Sequence, residues 1–188
     1  FTDGITPHWL DPCPPYSCRT LTDSNVRWGS VLEYLQQANR EGVNVLVLPE
    51  LTVDLVVLER ARAWLQDNPT TLRLVAAGSF HVEVVKGRDV EERMVYSVAP
   101  LLGPQGQVLI EHKKIQPWRH ESTKRYEEIN AGVEVYPLMT NLGLVALAIC
   151  IDFCELASAG GVGTIWSKVQ PSLALVPSMG QKTTNDAH

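Results

Sequence analysis

The sequence predicts an α/β fold built around a mixed sheet, and three observations carry that expectation. Segments with apolar residues at helical spacing alternate along the chain with short β-branched runs, the pattern of strands joined by helices. Two of those runs, Val43–Leu48 (VNVLVL) and the apolar part of Leu142–Glu155 (LGLVALAICIDFCE), end abruptly in polar residues, as strands covered on both faces do. Between two further β-rich runs stands Gly103-Pro104-Gln105-Gly106, which predicts an antiparallel hairpin inserted in the alternating order.

In chain order, the prolines at 7, 12, 14 and 15 keep residues 1–22 irregular, a lead or linker ahead of a single domain over 23–188. Asp23 and Ser24 offer an N-cap. Val26, Val31, Leu32, Leu35 and Ala38 then form the apolar face of a first helix that Gly42 ends. The strand Val43–Leu48 runs into Pro49 and Glu50. A second helix is expected from about Val53 to Asn68, capped by Thr52, with Leu58, Ala61 and Leu65 inward and Pro69 beyond it. Leu72–Val85 reads as one strand, Lys86–Glu92 as a charged loop, and Arg93–Leu102 with Gln107–Ile115 as the two hairpin arms. Tyr126–Gly132 is a loop, Val135–Met139 a strand, and Asn141-Leu142-Gly143 the turn into the central strand. A short helix is expected from Phe153 to Ala159, stopped by the glycines at 160, 161 and 163, and Ser172–Val176 is the last strand.

With 188 residues, 45% hydrophobic and 20% charged, the chain can bury one substantial core. A formal net charge of -5 argues against a general nucleic-acid or membrane-surface binder, which needs concentrated Lys and Arg, so a small-molecule or protein partner is expected. The chain shows neither a charged-then-apolar leader nor a segment long and apolar enough for a membrane helix, which leads to the expectation of a soluble, cytoplasmic protein. Its start at Phe1 and its end at Asn185-Asp186-Ala187-His188 lead to the expectation of a piece of a longer polypeptide.

The cysteines at 13, 18, 150 and 154 allow two disulfides, a zinc site or unrelated thiols, and the spacings C-x4-C and C-x3-C are weak metal signatures. Taken alone, Cys150 would be a small hydrophobe filling a core. It stands, however, at the C-terminal end of a buried strand, where open α/β sheets place their chemistry. Glu50 stands just past another strand, and Lys114 near the end of the second hairpin arm. A carboxylate can take a thiol proton and an ammonium can hold the charge that develops on a carbonyl oxygen, so the three together suit an activated nucleophile for acyl transfer. His81, His112 and His120 read as surface or loop residues.

The stretches LVLPEL with Glu50, HKKIQP with Lys114 and AICIDF with Cys150 resemble, in order and spacing, the three signatures of the nitrilase, or carbon-nitrogen hydrolase, superfamily. GPQGQVLIEHKK resembles the hairpin that leads to the family's lysine, and the likeness covers roughly 26–179. The resemblance implies a nitrilase-like α-β-β-α sandwich, here lacking the C-terminal part of the family domain. It implies Glu50 as general base, Lys114 as stabiliser of the tetrahedral intermediate and Cys150 as the nucleophile that forms a thioester. His112, Lys113 and Lys114 are adjacent, and the family pattern selects Lys114. In YEEINAG the resemblance gives Glu127 as a substrate-positioning carboxylate, with Glu128 as a substitute, and Ile151 as the source of a backbone N–H for the oxyanion. The sequence departs from the pattern at Ile151, where the family commonly has an aromatic residue. With no tryptophan after Cys150, amide or carbamoyl substrates are expected in preference to nitriles.

The function implied is hydrolysis or acyl transfer at a non-peptide carbon-nitrogen bond, with no cofactor and no metal. The alternative is a nitrilase-like assembly or regulatory domain of a larger protein. Partners implied are a small-molecule substrate and either a second copy or another domain of the parent protein, paired through the helix expected after Cys150.

Overall fold

The computed structural model describes residues 23–86, 92–119, 126–154 and 162–179. The expected lead over 1–22, His120 and the side chains of Cys13, Cys18 and Cys154 lie outside what is described.

Helix α1 (Ser24–Arg40) is capped by Asp23, whose carboxylate accepts from the N–H groups of Asn25 and Val26 at 2.9 and 3.1 Å. Val31, Leu35 and Ala38 are buried as the spacing requires. Val26, expected on the same face, is 67% exposed, and the neighbouring Arg27 is the buried residue of that turn. Strand β1 (Val45–Val47) follows, then helix α2 (Leu55–Asp67). The cap of α2 is Asp54, which accepts from the Val57 N–H at 2.9 Å, and not Thr52. The Thr52 hydroxyl donates instead to the Pro49 carbonyl in the preceding turn, so the helix starts later than the sequence suggests.

The strand expected over Leu72–Val85 is two strands, β2 (Leu74–Ala76) and β3 (Phe80–Lys86), separated at Ala77-Gly78-Ser79. Both pair antiparallel with the same long strand, β4 (Glu92–Leu102). Ala76 faces Leu101 and Phe80 faces Val98, so four steps on one side match three on the other and the break is a bulge. Strand β5 (Val108–Lys113) pairs with β4 through the hairpin at Gly103–Gly106, and β1 pairs parallel with β2, giving a five-stranded mixed sheet.

The second sheet has three strands. Strand β6 (Leu138–Thr140) begins after Pro137, which has no N–H for a ladder, and so lies C-terminal of the expected Val135–Met139. It pairs antiparallel with β7 (Gly143–Leu147), which pairs parallel with β8 (Leu173–Leu175). Helix α3 (Ile151–Cys154) follows β7 at once, beginning ahead of the expected Phe153. Helix α4 (Val162–Val169) was not expected, because Gly163 lies within it. Gly163 is the second residue of the helix, where glycine costs less than the about 1 kcal/mol of an interior position, and burying Trp166 against Ala146, beside Val169 and Ile115, outweighs it.

Packing defines four layers. Helices α1 and α2 cover one face of the five-stranded sheet through Leu35, Val57, Leu65, Val75 and Phe80. Its other face meets the second sheet through Leu74, Ala76, Ala99 and Leu101 against Val145, Leu147, Ile149 and Leu175. Trp166 of α4 covers the far side of the second sheet. Among the described residues no helix is long and apolar enough to cross a membrane.

Candidate active site

One end of the inter-sheet space is polar. In a strand alternate residues face one way, so the face that carries Leu101 and Ala99 of β4 next presents Ser97. Ser97 stands opposite His81 of β3, and its carbonyl accepts from the Lys114 N–H at 2.8 Å just beyond β5. His81, Ser97 and Lys114 therefore form one row across three strands, with Ala99 and His112 in the next.

Lys114 is 1% exposed, and its ammonium donates to Glu50 Oε1 and to Glu127 Oε2, both at 2.6 Å. Lys113 points to the other face, its ammonium 4.6 Å from the Tyr96 ring centroid. Glu50 reaches the lysine from the turn after β1. There Leu51, at φ 55°, donates its N–H to the buried Ser79 hydroxyl at 3.1 Å. Gly78, at φ +81°, lets the bulge approach this turn, since a Cβ there would lie 2.6 Å from the Pro49 carbonyl oxygen.

Glu127 comes from a loop tied down on both sides. Asn130 exchanges two hydrogen bonds with the Val95 backbone, and the Gly132 N–H donates to the Lys114 carbonyl at 2.8 Å. The Glu127 carboxylate is 1% exposed and fully engaged: His81 Nε2 donates to Oε1 at 2.8 Å, and the Trp118 N–H donates to Oε2 at 3.1 Å beside Lys114.

Cys150 occupies a sharp elbow between β7 and α3, at φ 45°. Its N–H donates to the Pro177 carbonyl at 2.9 Å, which joins the elbow to the segment after β8. The half-buried thiol donates to the Glu50 carboxylate and accepts from the Met179 N–H. Ile151 is the first residue of α3, partly buried. The next residue, Asp152, is buried and accepts from the Ile115 and Gln116 N–H groups at 3.1 and 2.8 Å and from His112 Nε2 at 3.0 Å.

Burial pushes the Cys150 thiol up to about 12, with the Glu50 charge adding to the effect and Lys114 opposing it, so the resting sulfur is a neutral thiol that needs a base. Burial also raises Glu50 above the ordinary carboxylate range, only partly offset by Lys114, which strengthens it as a proton acceptor. Glu127 goes the other way: burial would raise it, but the His81 hydrogen bond and the Lys114 charge outweigh that and hold it below the usual range. For Lys114, burial favours the neutral amine, and the charges of Glu50 and Glu127 overcome it, holding the ammonium above its ordinary range.

The structure thus brings Glu50, Lys114, Glu127 and Cys150 together, with Ile151 adjoining. Two expectations are corrected: His81 and His112 are not surface residues but are buried, His81 bonded to Glu127 of this cluster and His112 to Asp152 beside it. The signal was present in the strand period, because His112 stands two residues before Lys114 and must share its face. His81 likewise stands two residues after Ser79.

No protein-family model and no curated protein sequence matches the chain. Solved structures do. Nit3 of Saccharomyces cerevisiae, a member of branch 10 of the nitrilase superfamily, superposes with a TM-score of 0.60 at 14% identity, over 92% of this chain and 66% of that one. An amidase from Nesterenkonia sp. gives 0.62 at 17% identity, over 92% and 66%. The glutamine-dependent NAD+ synthetase of Acinetobacter baumannii gives 0.58 at 13%, over 87% of this chain and 32% of that one. The chain has the nitrilase-superfamily fold, the α-β-β-α sandwich of the carbon-nitrogen hydrolases, and spans 66% of the length of Nit3 and of the amidase.

Proposed function

We propose that the chain carries out acyl transfer from a non-peptide carbon-nitrogen bond, as an amidase-type hydrolase working through a Cys150 thioester. The observation that carries this reading is the Lys114 ammonium held between Glu50 and Glu127 while Glu50 also accepts the hydrogen bond of the Cys150 thiol. As Sγ attacks the carbonyl carbon of an amide, its proton passes to Glu50. The oxygen that becomes negative is met by the third N–H of Lys114 and by the Ile151 N–H at the start of α3. Collapse breaks the C–N bond, Glu50 returns the proton to the departing nitrogen, and ammonia or an amine leaves. Water then attacks the thioester, giving its proton to Glu50, and the carboxylic acid departs as the thiol re-forms. Glu127, with both oxygens engaged, holds Lys114 and orients the carbonyl through it.

One likeness supports the reading and one the alternative. In one structure of the Nesterenkonia amidase, acrylamide is joined by Michael addition to the active-site cysteine, so a cysteine in this fold can meet a small amide. The alternative, an assembly or regulatory domain, draws on the NAD+ synthetase, where this fold makes up one part of a longer chain.

The test is ammonia release from a panel of primary amides and carbamoyl compounds, run with and without hydroxylamine, which intercepts a thioester as a hydroxamate. Hydroxamate formation that vanishes in Cys150→Ala and Glu50→Gln is the expected result. Ammonia release that persists in Cys150→Ala would overturn the thioester, and no release from any amide, with Cys150 inert to amide electrophiles, would favour the assembly domain.

A further inference from the structure

His81 is buried on the inter-sheet face, in the row His81–Ser97–Lys114, yet it belongs to none of the apolar clusters. Its Nε2 meets Glu127 Oε1, while the other oxygen of that carboxylate meets Lys114. The ammonium lies 2.6 Å from each of two carboxylates, one of them the residue that bonds the thiol. A cation so placed is balanced. If Glu127 turns away or takes up a proton, the ammonium is drawn towards Glu50 alone, and the proton acceptor of Cys150 is tied up at the same time as the carbonyl loses its partner.

We infer that His81 is a positioning residue of this site: by donating Nε2–H to Glu127 Oε1 it fixes that carboxylate so that its second oxygen holds Lys114 midway between Glu127 and Glu50. The inference rests on the acyl-transfer reading above and deepens it, since it assigns to the histidine the control of where the ammonium stands. Glu127 is carried by a loop and not by a strand, and of its three donors among the described residues His81 alone acts on Oε1. Among the described residues the titratable groups around Glu127 are His81 from β3, Lys114 beyond β5 and Glu50 from the turn after β1, with Cys150 on the far side of Glu50. Ser97, between His81 and Lys114, adds no charge, and its buried hydroxyl finds no hydrogen-bond partner among the described residues. Because the His81 bond helps hold Glu127 below the carboxylate range, its loss lets burial raise the carboxylate. The ionised form, present above that pKa and lost as pH falls through it, then disappears at a higher pH than in the wild type.

The experiment compares two reagents on Cys150, with the modified peptide identified by mass spectrometry. Acrylamide adds through its β-carbon: the S–C bond forms, charge develops on the carbonyl oxygen, and the thiol proton ends on the α-carbon. Methyl methanethiosulfonate transfers a methylthio group to sulfur with loss of methanesulfinate and presents no carbonyl. The ratio of the two rates therefore reports Lys114 at a carbonyl, apart from thiol access. His81→Leu is expected to lower the ratio about tenfold and to move the acid limb of the ratio, in which the Glu50 ionisation common to both rates cancels, to higher pH, with His81→Gln restoring most of both. His81→Asn, whose amide is too short to reach Glu127, replaces the Leu variant if thermal melting shows that variant unfolded. Equal loss of both rates, an unmoved acid limb, or a Gln variant no better than Leu would overturn the inference. A wild-type ratio that Lys114→Ala leaves unchanged would instead overturn the acyl-transfer reading, and the role of His81 with it.

Discussion

Two buried carboxylates in this molecule each accept a hydrogen bond from a histidine Nε2, and they do different things. Asp152 takes His112 at 3.0 Å and fills its remaining capacity with the Ile115 and Gln116 N–H groups. Glu127 takes His81 at 2.8 Å and fills its remaining capacity with the Trp118 N–H and the Lys114 ammonium. The first set is closed on backbone and stitches the exit of β5 to the helix that follows Cys150. The second set ends on the Lys114 ammonium, which also touches Glu50. A carboxylate–imidazole pair is therefore structural or chemical according to its third partner, and the partner here is decided by which strand end lies opposite.

The comparison can be broken at its functional end first. Cys150→Ala removes the nucleophile of the proposed reaction and should abolish hydroxamate formation, a loss of about a thousandfold or more, while melting stays near that of the wild type. Lys114→Ala should lower the rate of acyl transfer by about a hundredfold or more, because it removes the charge at the developing oxyanion. Asp152→Ala probes the other pair and should show chiefly in denaturant unfolding. It strands two backbone donors and His112 in the interior, so a loss of about 3 kcal/mol is expected. If Asp152→Ala left stability unchanged, the structural half of the contrast would be lost.

A pH profile sharpens the same contrast. Glu50 must be ionised to accept the thiol proton and burial raises it, so the acid limb of Cys150 alkylation should lie above the ordinary carboxylate value of 4.5. Above that limb the rate should stay flat through the ordinary thiol range, since Cys150 is held near 12. An inflection near the free-thiol value of about 8.5 would mean that the sulfur reacts without Glu50. The smallest effect belongs to Lys113→Ala, which removes an exposed cation from the Tyr96 ring and should leave turnover unchanged, with at most about 1 kcal/mol lost in stability.

Glu50 and Cys150 were legible as candidates because each ends an apolar run, and Lys114 and Glu127 through the resemblance of HKKIQP and YEEINAG to the motifs of a known family. The α/β order follows from periodicity and the hairpin from its Gly103-Pro104-Gln105-Gly106 turn, whereas the pairing of β1 with β2 and of β7 with β8 appears only in the structure. What escaped depends on partners distant in sequence. His81 and His112 look like ordinary polar residues until β4 is placed between their strands, and only then does the row through Ser97 appear. The Gly78 bulge and the shifted cap of α2 share one cause, the packing of the bulge against the turn at Pro49–Thr52. Helix α4 forms in spite of Gly163 because Ala146 offers Trp166 a surface that no local pattern announces.

The backbone at the two reactive residues has a consequence for how such a protein could be altered. Cys150 sits at φ 45° and Leu51, next to Glu50, at φ 55°, conformations that cost a residue with a side chain about 1–3 kcal/mol and glycine almost nothing. Folding and chemistry therefore want different residues at position 150. A library screened only for heat resistance should enrich Cys150→Gly, and the survivors, better folded than their parent, would have lost the sulfur around which the charges were gathered.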